Sequence, residues 1–76
     1  MKDPKLFYFD HDDILHLVLA EGDEANSVAL SPTITAELNA QGEVIGMEIL
    51  HASTFVRETL LALVQAHHLP LSPASE

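Results

Sequence analysis

The side chains with any capacity for chemistry are five histidines and twelve acidic residues, in a chain that contains no cysteine. His11, Asp12 and Asp13 stand together, and His16 follows three residues later. They could ligate a metal if His16 approached them across a hairpin, since zinc takes three or four ligands converging tetrahedrally. The same residue types are ordinary turn formers, and neighbours along a strand point to opposite faces, so the pattern favours a plain turn. Glu21, Asp23 and Glu24 form a second acidic group, but their spacing lacks the alternating oxygen ligands and closing Glu of a calcium-binding hand. His51 lies between a strand and a helix, where it can bond backbone groups. His67 and His68 fall at a helix C-terminus, where protonated imidazoles suit the dipole. No serine among Ser27, Ser31, Ser53, Ser72 and Ser75 sits in a nucleophile elbow, and no glycine-rich phosphate loop is present. An enzyme is not expected, and neither is a metal or a cofactor. A small-ligand or metal-binding domain using His11, Asp12, His16 or His51 is kept as an alternative.

The elements that must position these residues follow from periodicity. Lys5 to Phe9 is aromatic-rich and runs into the polar segment Asp10-His11-Asp12-Asp13, which fits a strand and a turn. Ile14 to Ala20 reads as a second strand with Leu15, Leu17 and Leu19 on one face. If the hairpin closes symmetrically, Leu6 and Tyr8 join the leucine face, while Phe7 and Phe9 join Ile14, His16 and Val18. Glu21 to Asn26 is an acidic loop, Ser27 to Leu30 a short strand, and Pro32 implies an edge or a bulge because it cannot donate to a ladder. Thr33 to Leu38 resumes a β-type composition.

Asn39-Ala40-Gln41-Gly42 fits a type I turn closed by a left-handed glycine. With Asn39 opposite Glu43, Leu38 faces Val44, Ala36 faces Gly46 and Ile34 faces Glu48. Ile45, Met47 and Ile49 then share a face with Thr33, Thr35 and Glu37. Ser53 and Thr54 are N-cap candidates for an amphipathic helix over 53–68, in which Val56, Leu60, Leu63 and Val64 recur at helical spacing, Phe55 and Leu61 widen the stripe, and Glu58 falls in or just after the first turn, where a negative charge suits the dipole. Pro70 stops it, and 69–76 reads as a flexible tail. Both faces of the second hairpin are partly apolar, and one helix covers only one of them.

Length and composition bound the rest. Seventy-six residues make one domain, and a core this small is marginal without disulfides, a metal or association. Hydrophobic residues nevertheless make up 47% of the chain, so self-association is the simplest outcome. The net charge of -9 argues against nucleic acid and anionic membranes as partners and favours a basic protein if there is a second partner. No apolar run reaches the ~18 residues of a membrane span, and no secretion signal is visible, so a cytoplasmic setting is expected.

Phe9-Asp10, Asp13-Ile14-Leu15-His16-Leu17, the block Gly42-Glu43-Val44-Ile45-Gly46-Met47-Glu48-Ile49-Leu50 and Ala52-Ser53 together resemble the bacterial domain-of-unknown-function family 2283. That family resembles this chain in an aromatic-Asp turn, a Leu-Tyr-Ile strand and a Gly-x-Val-x-Gly-Ile-Glu-Ile-Leu strand leading to a helix. The likeness spans roughly residues 6 to 60. It departs in a first turn one residue shorter and in His16 where Tyr is usual, which leaves the register of the first hairpin open. The resemblance implies a small sheet followed by a helix and brings no assigned activity. Some relatives are thought to be encoded beside small toxin-like proteins, which implies an antitoxin-like role as an alternative.

The fold expected is therefore α+β: a small antiparallel β-meander of about four strands over 5–50, followed by one C-terminal helix. The expected function is a non-catalytic protein-interaction module, a homodimer or higher homo-oligomer. Its interface candidates are Phe7, Phe9, Val18, Gly46 and Glu48, because Gly46 opens a gap through which a partner could approach and Glu48 sits inside an apolar strand. If buried at such a surface, Glu48 would need a donor partner.

Overall fold

The computed structural model describes residues 3–73. Of the tail expected over 69–76, residues 74–76 lie outside the described residues, and 69–73 form neither helix nor strand. Five antiparallel strands, β1 (Lys5–Phe9), β2 (Ile14–Val18), β3 (Asn26–Ser31), β4 (Ile34–Leu38) and β5 (Val44–Leu50), precede one helix, α1 (Ala52–Ala66). The α+β class is as expected, with five strands in place of about four. The strand order is β1-β2-β5-β4-β3. β3, β4 and β5 are thus successive neighbours, whereas the β1–β2 hairpin docks on the free side of β5. β2 ends at Val18, because the amides of Leu19 and Ala20 both turn to the Ile45 carbonyl at 2.9 and 3.2 Å and start the crossing to β3.

The first hairpin has the symmetric register, with Phe9 opposite Ile14, Phe7 opposite His16 and Leu6 opposite Leu17. The second turn is built as its residues dictate. Gly42 takes φ 78°, its amide donates to the Asn39 carbonyl at 3.0 Å, and the Asn39 side-chain oxygen accepts from the amides of Gln41 and Glu43. Only glycine reaches that conformation without cost.

Beyond the turn the expected facing is corrected. A bulge follows the Leu38–Val44 pair, so that Glu37 faces Gly46, Ala36 faces Met47, Thr35 faces Glu48 and Ile34 faces Ile49. One extra residue in β5 moves its apolar set onto the face of Ile34 and Ala36 rather than that of Thr35 and Glu37, which pairs like with like. β3 is an edge strand with its own irregularity between Ala29 and Ser31, just ahead of Pro32. A bulge and a proline at an edge discourage further strand pairing there.

The helix contains neither glycine nor proline and is rich in Ala and Leu, which accounts for its formation. Its N-cap is His51, in the left-handed conformation (φ 53°, ψ 46°) and without a side-chain cap bond, in place of Ser53 or Thr54. Glu58 falls in the second turn, and the first turn carries no acidic residue. The C-terminus closes at Ala66 rather than residue 68. His68 is left-handed, with Leu69 N–H on the Val64 carbonyl and His68 N–H on the Gln65 carbonyl, which is the Schellman arrangement.

The helix does not fold back over the sheet. From Ser53 onward all its residues except Val64 are exposed. The radius of gyration is 15.6 Å, against about 11 Å for a compact chain of this length. The long dimension is 48 Å and the other two are 29 and 26 Å. Among the described residues, only Ala36, Ile45, Ile49 and Ala52 form a buried apolar core, and no large side chain is fully enclosed. The solvent-accessible area is 6136 Å², whereas a folded 8.3 kDa monomer exposes about 4,600 Å².

Candidate interaction surface

The strand registers sort the sheet into two unlike faces. On one, two rows of side chains cross the sheet, Tyr8–Leu15–Ile49–Ile34 and Leu6–Leu17–Met47–Ala36–Val28. This leucine face has no charged side chain in either row. The middle of it is buried or half-buried by its own neighbours, while Leu6, Tyr8 and Val28 at the rims are exposed.

The opposite, mixed face carries the rows Phe9–Ile14–Leu50, Phe7–His16–Glu48–Thr35–Ala29 and Lys5–Val18–Gly46–Glu37–Ser27. All five interface candidates therefore share this face. Phe7, Phe9 and Glu48 are exposed, Val18 is half-buried and Gly46 is buried. The gap at Gly46 is already filled from within the chain. Glu37 lies across it, and its Oε1 meets His16 Nε2 at 3.0 Å. A Cβ at position 46 would collide with that carboxylate and would stand 3.0 Å from the Leu17 carbonyl oxygen. The glycine is there for the Glu37 side chain, and the polar pair it permits sits in the centre of the mixed face.

Tyr8, Asp13 and Ser53 converge where the first turn meets the helix. The Asp13 carbonyl accepts from Ala52 N–H at 2.9 Å. Its carboxylate accepts from Ser53 N–H at 3.0 Å, from Ser53 Oγ at 2.7 Å and from the Tyr8 hydroxyl at 2.8 Å. The first turn thus receives from a distant carboxylate the cap and the negative charge that its own sequence lacks. These donors, the Ser53 hydroxyl above all, hold the Asp13 carboxyl below its ordinary pKa, with Tyr8 and the Ser53 amide adding to the effect. The bond to Asp13 pushes the Tyr8 phenol above its ordinary pKa.

With these shifts Asp13 is a weaker base and Tyr8 a weaker acid than the free side chains. The three side chains clasp the first hairpin turn to the start of the helix.

A further run of exposed apolar side chains is on α1. Phe55, Val56, Leu60 and Leu63 recur on one side of the helix, with Thr59 among them and Ala62 at the edge, and every one is exposed; Leu60 is 56% and Leu63 54% exposed. The sequence marks this stripe, but its spacing says only that an apolar surface must cover it. Which surface does so is a matter of tertiary placement. Glu37 was missed for another reason, since the expected register placed it off the Gly46 row.

Of the residues considered as ligands, His11 and Asp12 are exposed in the first turn and His16 is engaged by Glu37. Among the described residues no group of three or more His, Asp or Glu side chains is arranged to hold a metal ion. No helix among them is long and apolar enough to cross a membrane.

Compared with known families, the chain matches over residues 5–53 the model described as Protein of unknown function (DUF2283). The match takes in the whole sheet and ends at Ser53, the residue that Asp13 clasps. No curated protein and no solved structure matches the chain.

Proposed function

The chain belongs to the DUF2283 family, whose function is unknown, and we propose that it is a non-catalytic protein-interaction module that self-associates through its sheet and its helix. One observation carries this reading. The single chain exposes about a third more surface than a folded monomer of its mass, and its exposed large apolar side chains lie on the helix, on the sheet and just after the helix. That excess, about 1,500 Å² per chain, is of the size that obligate homodimers hide per subunit. Exposed apolar side chains gathered in this number mark a surface that a second copy can cover.

Sedimentation equilibrium of the purified chain at micromolar concentration tests the proposal. The expected mass is that of a dimer or a larger homo-oligomer. A well-folded species at the mass of one chain refutes it.

A further inference from the structure

Resting on that self-association, we infer that the leucine face of each chain is covered by helix α1 of a second copy, given reciprocally, so that two chains exchange their helices about a two-fold axis.

The helix is prevented from serving its own sheet by the way it starts. A single left-handed residue, His51, separates β5 from α1, and Asp13 holds Ala52 and Ser53 at once. The direction of the helix is therefore fixed within its first turn, and it leads away from the sheet.

The helix and the leucine face also fit one another. Fifteen residues of α-helix span about 22 Å, and five strands span about 19 Å from first to last. The stripe of Phe55, Val56, Leu60 and Leu63 is uncharged and mainly apolar, with the Thr59 hydroxyl among them, and the two rows of the leucine face are uncharged and mainly apolar likewise. On the mixed face the same stripe would meet His16, Glu37 and Glu48 and would strip water from them.

Charge does not oppose the arrangement. The acidic residues of the sheet region lie in turns, loops and the mixed face, and Glu58 lies beside the helical stripe, so the contact stays free of like charge although each chain carries -9. Reciprocal exchange hides two helices and two faces together, which brings the surface excess of each chain to a value normal for its mass.

The absence of cysteine makes a direct test possible. A Leu63→Cys chain is mixed with a differently tagged Leu17→Cys chain, refolded together and treated with a short bismaleimide. A heterologous cross-link joining the two tags is expected. A second measurement compares Leu63→Gln with Phe7→Gln, both exposed in the single chain and so harmless to its own folding. Because each substitution appears twice in a symmetric dimer, Leu63→Gln should raise the dissociation constant about a hundredfold or more. Phe7→Gln should change it less than about threefold. A stable dimer without the cross-link, or one that Phe7→Gln dissociates and Leu63→Gln does not, overturns helix exchange and leaves self-association standing. A monomeric parent chain overturns both.

Discussion

Replacing Gly46 by alanine tests the internal account of the mixed face. The new methyl meets the Glu37 carboxylate and the Leu17 carbonyl oxygen, the latter at 3.0 Å. Glu37 can swing away, but then its bond to His16 is lost, a net loss of about 1 kcal/mol for a part-exposed hydrogen bond. The Leu17 carbonyl belongs to the backbone of a central strand and yields only a few tenths of an ångström, which adds about 1 kcal/mol of packing strain. Against these stands a gain of about 0.5–1 kcal/mol from removing a glycine inside a strand. Gly46→Ala should therefore destabilise the protein by about 1 kcal/mol. In a Glu37→Ala background the carboxylate is gone, and the same change should be close to neutral, giving a coupling of about 1 kcal/mol. Urea unfolding of the four proteins followed by circular dichroism, at one fixed chain concentration so that any association weighs equally on all four, measures the cycle. Equal costs in both backgrounds would refute the reasoning. So would a Gly46→Ala chain whose stability is unchanged but whose association is weakened, since that would reserve the gap for a partner.

Asp13→Ala should speed hydrogen exchange at the Ser53 amide and lower the helical circular dichroism, while Asp13→Asn, which still accepts a bond, should do so less. Since the folded pKa of Asp13 is depressed, its contribution is fully present above the unfolded value of about 3.9 and is lost as pH falls through the lower folded value. An acid titration of helical signal should show that loss in the parent and not in Asp13→Asn. The Tyr8 pKa is raised, so its contribution is complete below about 10 and disappears as pH climbs through the folded value; Tyr8→Phe should abolish that alkaline step in the unfolding midpoint. Glycine at His51 or His68 should stabilise by up to about 1 kcal/mol in urea midpoints, because each holds a left-handed conformation, whereas valine at either should destabilise. Gly42→Ala should cost about 1 kcal/mol through backbone strain alone, because no atom stands near the added methyl.

What could be read from the sequence was what local chemistry decides. Asn39 and Gly42 specify their turn by side-chain bonds and a positive φ, and the alternation of Lys5 to Phe9 with Ile14 to Val18 places Phe7, Phe9, Val18 and His16 on one face. The bulge in β5 was not readable, because it answers to the side chains of β4 and β2 across the sheet rather than to its own neighbours. The docking of β2 on β5 joins segments far apart in the chain, and no local signal marks it. The cap of α1 escaped for the same reason: Ser53 looks like a capping residue from its neighbours, yet it donates to a carboxylate 40 positions earlier. The helical stripe was plain, but a stripe names the chemistry of what covers it and not the chain that supplies it.

The distant cap also gives assembly a direction. β3, β4 and β5 are successive hairpins that can form from contacts near in sequence, whereas β2 must close a long loop to reach β5. A 15-residue helix is marginal by itself in water, and the clasp that steadies its start comes into being only when the first hairpin has docked. The apolar stripe is thus presented as an ordered surface last, by chains whose sheet is already complete. A chain whose first hairpin has not docked therefore lacks the Asp13–Ser53 bonds and should keep the start of its helix frayed.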